Sequence, residues 1–370
     1  MRTQGFKKRM LLYFYFEPVS KKIIGKRKRE FRGGGITLKQ QLKIKDMKMK
    51  SSMKLKAIMI ITMLGMNLAG YAQAQKKDGT FASESGMEMQ VDSMVYKNES
   101  RPVYYARYGN RGCLFELRIN DNVSAEVTEP VNIGETSITI NPVIFKSGKQ
   151  SISINLKPFP GRKTIMNEKP FRLEIGYYDF TEKLDSMGNR TWHKVFELPE
   201  IEIPEEGLSQ IKIEKEFEAQ VPYEITTWDE YVDLREIPNI EQKVVEEYKR
   251  VRQMIAEKKI SELKEYFWPS YQEIGVTLYQ SQKDIERDWK GNVDIINKYS
   301  VNELQAIEEY RMVFSTDGKS ITLKSKKLNG LPSALVFIRK KENGNGFKYG
   351  YIELHLSMKK GTNKLIPVMI

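Results

Sequence analysis

The sequence predicts an all-β sandwich followed by an α+β module in which helices pack on an antiparallel meander sheet. Three observations carry this reading. Between residues 95 and 221, short runs alternate apolar and polar residues with the period of two that gives a strand one dry and one wet face. Between 238 and 298 the apolar spacing changes to three and four, the period of a helix. From 304 to 369 the period of two returns. At about 150 residues per domain, the part of this 370-residue chain that follows its leader has room for two domains.

The first strand signal is Cys113-Leu114-Phe115-Glu116-Leu117-Arg118-Ile119, apolar at every odd position. Similar runs are Ser137–Ile140, Ile152–Leu156, Phe171–Ile175 and Ile211–Ile213. Turn formers lie between them: Asn120-Asp121-Asn122, Pro158-Phe159-Pro160-Gly161, and Asp185-Ser186-Met187-Gly188-Asn189. The last of these predicts a hairpin of Phe171–Phe180 with Thr191–Leu198. Many short strands with frequent turns resemble, in pattern, immunoglobulin-like exported modules. The Cys…Trp…Cys signature of true immunoglobulin domains is missing, so that resemblance implies architecture alone.

Residues 222–237 read as a junction, and Thr227-Trp228-Asp229-Glu230 has the spacing of a capping box that opens one short helix. Ile240, Val244, Tyr248, Val251 and Ile255 then form a helical stripe, broken by Glu257-Lys258-Lys259. Ser261 is placed to cap a further short helix with Leu263, Tyr266 and Phe267 inward, ended by Pro269. Ser281 opens another, with Ile285, Trp289, Val293 and Ile296 on one side. Strands follow. Tyr310–Phe314 and Ile321–Leu323 flank the turn Thr316-Asp317-Gly318; Leu335–Ile338 and Phe347–Leu356 flank a Gly/Asn turn at 343–346; Lys364–Met369 closes the chain. A long helix, a charged break and Ile260-Ser261-Glu262-Leu263-Lys264-Glu265-Tyr266-Phe267-Trp268-Pro269, followed by a meander, resemble the nuclear transport factor two-like superfamily over 238–370. Lys259 stands where that family often has Asp. The resemblance implies a cone-shaped pocket between helices and sheet and specifies no reaction.

The leader is read from charge. The 61 Lys+Arg and 48 Asp+Glu of the chain divide as 18 and 3 up to Ala74 and as 43 and 45 after it. The net charge of +13 therefore belongs to the first 74 residues. The near-neutral remainder argues against nucleic acid as a partner. Lys48, Lys50, Lys54 and Lys56 precede the apolar run Ala57–Ala69, and Ala72-Gln73-Ala74 offers small residues at the two positions a signal peptidase reads. The expectation is a signal peptide over 47–74 cleaved before Gln75, then a flexible tether over 75–94. A helix over this apolar run rises only ~20 Å, short of the ~30 Å hydrocarbon core, so no stable membrane span is expected after cleavage. An uncleaved anchor is the alternative. Residues 1–46 read as an extension upstream of the natural start, with Met49 the expected first residue; a basic RNA- or lipid-binding arm is the competing reading.

Chemistry-bearing constellations are few. One Cys excludes an internal disulfide framework and two His argue against a His-rich metal site; neither metal nor cofactor is implied. Cys113 lies on the apolar phase of its strand and reads as a core residue. His193 follows a turn and reads as a surface strand residue. In Tyr349–Met358, Ile352, Leu354, Leu356 and Met358 share one face and Tyr351, Glu353, His355 and Ser357 the other. If the sheet packs flat on the helices, that polar face is solvated. If it curls, Glu353 and His355 form an acid–base pair in a pocket walled by Tyr271, Trp289 and Tyr351. The aromatics Tyr104-Tyr105, Tyr108, Tyr177-Tyr178, Tyr266-Phe267-Trp268, Tyr271 and Trp289 are expected at element edges, mostly as core.

Together these observations lead to an exported, non-catalytic binding or assembly protein of the periplasm or extracellular space, with a protein or glycan partner in the envelope. A small-molecule-binding enzyme using the C-terminal pocket, and an immunity or inhibitor protein against a secreted toxin, are the alternatives.

Overall fold

The computed structural model describes residues 96–166, 169–328, 331–342, 344, 346–368 and 370. The leader, its cleavage residues Ala72, Ala74 and Gln75, and the tether 75–94 lie outside the described residues. The described chain is mostly β, with four antiparallel sheets and three helices in its C-terminal part.

Two four-stranded sheets make the N-terminal half. One runs in the order β4 (Thr136–Thr139), β1 (Pro102–Asn110), β6 (Phe171–Asp179), β7 (His193–Glu197). The other runs β3 (Asn122–Val127), β2 (Cys113–Ile119), β5 (Gly148–Pro158), β8 (Ile211–Ala219). The alternation seen in the sequence is the burial pattern of β2, where Cys113, Phe115, Leu117 and Ile119 are buried and the residues between them half-buried. The β2–β3 turn places Asn120 and Asp121 at φ 46° and 70°, left-handed values that Asn and Asp tolerate and that match the twist of a tight hairpin. Rings from the two sheets meet at Tyr104–Phe217 (6.4 Å) and Tyr108–Phe115 (5.5 Å). Tyr104, Tyr105 and Tyr108 sit inside β1, and Tyr177 and Tyr178 inside β6, not at element edges. The pleat therefore sorts them: Tyr104 and Tyr108 are buried in the core while Tyr105 and Tyr178 keep open surface.

The C-terminal half opens with α1 (Ile240–Ala256), α2 (Ile260–Thr277) and α3 (Gln282–Lys298). The stripe of α1 buries Val244, Tyr248, Val251 and Ile255 as its spacing predicts. The charged break is a left-handed residue, Lys258 at φ 55°, after which the Lys259 amide returns to the Met254 carbonyl at 2.9 Å. Ser281 caps α3 in a full capping box with Asp284.

Two helix expectations are corrected. Pro269 does not end its helix, because α2 runs through it to Thr277. Residues on both sides of it, Leu263, Phe267, Trp268, Tyr271 and Val276, are buried, and that packing outweighs one lost N–H bond. Thr227–Glu230 is a 3-10 turn whose cap receives no side-chain bond. The Thr227 hydroxyl instead donates to Glu273 of α2, a tertiary partner that replaces the local one.

The closing strands are not a simple meander. β9 (Tyr310–Phe314) and β10 (Ile321–Ser325) pair as predicted, around a turn where Gly318 has φ 74°. A Cβ there would lie 1.9 Å from Asp233 Oδ1, so only glycine fits. β11 (Leu335–Lys340) and β12 (Phe347–Ile352) form a separate two-stranded sheet. The run expected as one strand to Leu356 breaks at Glu353-Leu354, and β13 (His355–Met358) joins β10 on one side and β14 (Leu365–Val368) on the other. A buried hydroxyl accounts for the break. Tyr248 of α1 donates to the Leu354 carbonyl, accepts from the Leu323 amide at 2.9 Å, and lies 3.1 Å from Thr322 Oγ1. That satisfies backbone groups a continuous ladder would have paired with strand.

Buried apolar residues of both halves belong to one continuous core. Polar contacts cross it at Asn141 Nδ2 to the Thr277 carbonyl (2.9 Å), Tyr96 OH to the Val276 carbonyl (3.1 Å) and Arg118 Nη1 to the Phe314 carbonyl (3.1 Å).

Candidate functional site

The five residues singled out for a C-terminal pocket are spread over α2, α3, β12, the break after it and β13. Tyr271 and Trp289 are buried and pack edge to face at 5.7 Å, bringing α2 against α3, and the Asn292 amide donates to the Tyr271 hydroxyl. Tyr351 sits in β12 opposite Val336. Glu353 lies in the break and His355 begins β13, so the two do not share a strand. They make no hydrogen bond or ion pair with each other. The expected polar face is not solvated as a whole: Ser357 is fully buried and His355 half-buried, leaving Glu353 exposed.

The electrostatics around His355 are set by burial and by one cation. Burial first, then the nearby Lys324 ammonium, push its imidazole down to about 3. It is neutral at physiological pH and a poor proton acceptor there. Dense surroundings raise the Glu353 carboxyl despite the Lys324 charge. Its own exposed surface lets solvent screen that effect.

Lys324 itself is the centre of a buried ion cluster. It lies in β10, on the same face as Thr322, whose cross-strand partner is His355. Its Nζ is 2.6 Å from Glu126 Oε1, and Arg311 Nη2 reaches both oxygens of that carboxylate at 2.8 and 2.9 Å. Burial alone would raise the Glu126 carboxyl; the two cations outweigh it and hold it below the usual range. Glu126 comes from β3 and the cations from β9 and β10, so the cluster ties the N-terminal sheet to the C-terminal one. One buried carboxylate holds two cations from two neighbouring strands, so the cluster keeps a net charge of about +1 and serves as a structural joint.

Two hollows flank the helices. A crevice of about 10 Å³ is lined by Phe145, Thr227, Trp228, Glu273 and Ile370, among others. That is room for about one water. A wide open groove of about 660 Å³ runs along the solvent side of α1 past Ile240, Val245 and Tyr310. None of Tyr271, Trp289, Tyr351, Glu353 and His355 lines either one.

The arrangement that brings aromatic and polar groups to open surface is on the outer face of the β4-β1-β6-β7 sheet. Arg107 of β1 and Glu174 of β6 face each other across the register. Tyr105 and Tyr178 meet edge to face at 5.9 Å, Tyr178 and Trp192 lie 5.0 Å apart, and the Arg107 guanidinium sits 3.6 Å over the Trp192 ring. Arg107 Nη2 donates to Tyr178 OH (2.7 Å) and Trp192 Nε1 to Glu174 Oε1 (2.8 Å). Sequence reasoning named Tyr105 and Tyr178 among its aromatics and missed Arg107, Glu174 and Trp192. The outward phase of Tyr105 and Arg107, two apart in β1, and of Glu174 and Tyr178, four apart in β6, was the signal available. The remaining pairing depended on the β1–β6 register.

His193 and Cys113 stand where they were expected. His193 opens β7, half-buried, stacked 4.7 Å from Tyr177 and 2.8 Å from Glu182. Cys113 is fully buried in β2, its thiol pushed up to about 11 by burial, which leaves it without a reactive thiolate. Among the described residues no helix is long and apolar enough to cross a membrane. No family model, curated protein or solved structure matches the chain.

Proposed function

We propose that this chain is an exported, non-catalytic binding or assembly protein of the cell envelope or extracellular space. In this reading the two N-terminal sheets form an immunoglobulin-like β-sandwich that presents a recognition face, and the C-terminal α+β part supports it. The observation that carries the reading is the outward ladder of Tyr105, Tyr178, Trp192 and Arg107. Rigid amphipathic rings held at a surface by fixed polar partners are what recognition faces use. The enzyme alternative needs Glu353 and His355 in contact, whereas Glu353 lies in the break and His355 in β13, with no hydrogen bond between them.

The test is made on protein from the native host. Cell fractionation and intact-mass measurement are expected to give a chain that begins at Gln75 outside the cytosol. His355→Ala is expected to leave partner binding unchanged. A cytosolic chain that retains Ala57–Ala69, or a turnover reaction abolished by His355→Ala, would overturn the proposal.

A further inference from the structure

The outer-face ladder has a composition that selects among ligands. Trp192 lies against the bare Cα of Gly176, where a Cβ would come within 2.5 Å of its ring. That contact and the Arg107 and Glu174 partners fix the indole before any ligand arrives. Glu174 uses Oε1 for both the Trp192 N–H and the Arg107 guanidinium (3.4 Å) and leaves Oε2 without a hydrogen-bond partner among the described residues. Arg107 uses Nη1 and Nη2 for Glu174 and Tyr178, and a guanidinium carries five N–H donors. A spare acceptor and spare donors therefore stand side by side, flanked by rings.

A pyranose presents this pattern in complement: an apolar C–H face and a rim of hydroxyls, each both donor and acceptor. The rings of Tyr105 and Tyr178, beside a Trp192 ring that already carries the Arg107 guanidinium, take the first, and a paired donor and acceptor take the second. The Arg107–Glu174 pair is neutral as a unit, and Lys194, which lies near Glu174, is itself paired with Glu197 at 2.6 Å, so these groups present no net charge to a phosphate, a carboxylated sugar or a cation. The large apolar side chains that the described chain leaves most exposed, such as Met187 and Phe347, are not part of the ladder, which argues against a greasy protein contact there. We infer that the outer face of the β4-β1-β6-β7 sheet, at Tyr105, Arg107, Glu174, Tyr178 and Trp192, binds a neutral polysaccharide. The inference rests on the exported-binder reading and names its ligand class.

The full chain is titrated by calorimetry with neutral hexasaccharides, namely maltohexaose, cellohexaose, laminarihexaose, mannohexaose and chitohexaose, and with hexagalacturonic acid as the charged comparison. At least one neutral sugar is expected to bind with a Kd below about 1 mM, and the charged sugar more weakly. Trp192→Ala and Arg107→Lys are each expected to weaken that binding about tenfold or more. If Trp192→Ala does not fold, Glu174→Gln keeps the volume and exchanges an acceptor for a donor, and the same loss is expected of it. Silence toward all neutral sugars at about 10 mM, equal affinity in the folded variants, or preference for the charged sugar would each overturn the inference. An envelope-located chain that ignores sugars removes this inference and keeps the function proposed above. A cytosolic chain that binds them does the reverse.

Discussion

At the scale of single residues, Asn141 is a buried polar side chain whose amide oxygen and nitrogen are both used. Asn141 is completely buried just past the end of β4. Its Oδ1 accepts from the Tyr104 amide at 2.6 Å, and its Nδ2 donates to the carbonyls of Pro102 (3.0 Å) and Thr277 (2.9 Å). The side-chain amide thus continues the β1 ladder where β4 has turned away into the 3-10 turn at 141–143, and it also ties that ladder to the end of α2. Asn141→Ala leaves the Tyr104 N–H and the Thr277 carbonyl buried without this partner; Pro102 keeps a second donor in Tyr279 OH (3.1 Å). Each buried group left unpaired costs about 1–3 kcal/mol, so a loss near 3 kcal/mol is expected. Urea unfolding at constant m-value measures it, and a loss under about 0.5 kcal/mol would remove Asn141 from this role. Nothing in the sequence singled out Asn141: a turn asparagine is ordinary until the fold wraps a helix end over it.

At the scale of elements, the legible parts were those governed by local spacing. β2, the β6–β7 and β9–β10 hairpins, the stripe of α1 and the Ser281 cap all follow from period, turn chemistry or capping, which act within a few residues. The parts that were not legible were decided by distant partners. Thr227 bonds Glu273 rather than its own helix start, Tyr248 holds the break at Leu354, and the buried face of α2 carries the helix through Pro269. The last case gives a prediction. Pro269 is exposed in mid-helix, so its ring supports no core contact while its missing N–H leaves a carbonyl one turn back without its helical partner. A helix-interior Pro costs about 3 kcal/mol relative to Ala, offset by the ~1 kcal/mol it gains by restricting the unfolded chain. Pro269→Ala is therefore expected to stabilise the protein by about 1–2 kcal/mol, raising Tm by several degrees. A fall in Tm would mean that the helix is built around the proline.

At the scale of the molecule, the joint between the N-terminal and C-terminal sheets is both apolar and ionic, and the ionic part makes stability depend on pH. Glu126 sits between Lys324 and Arg311 with little solvent around it or Lys324. Its carboxyl is lowered in the fold, so below its ordinary titration range, near 4.3, the unfolded chain takes up a proton that the native chain resists. Unfolding then binds protons, and stability falls as pH drops. The contribution is complete above that range and is lost as pH falls through the lower native value. His355 acts in the same direction earlier. Its imidazole, pushed down to about 3 by burial and by Lys324, is protonated in the unfolded chain from about 6.5 downward, so stability already declines between those two values. Glu126→Gln separates the two effects. It leaves the Lys324 ammonium buried without its carboxylate, which costs about 3 kcal/mol at neutral pH, and it makes the limb below about 4.3 shallower, the share of other lowered carboxyls such as Glu303 and Asp179 remaining, while keeping the slope above it. Tm measured across that range in both proteins reads this directly. Equal limbs in the two would place the acid sensitivity elsewhere and reduce the cluster to a passive contact, and parallel loss of both sheets' signals on heating is expected because one core runs beneath them.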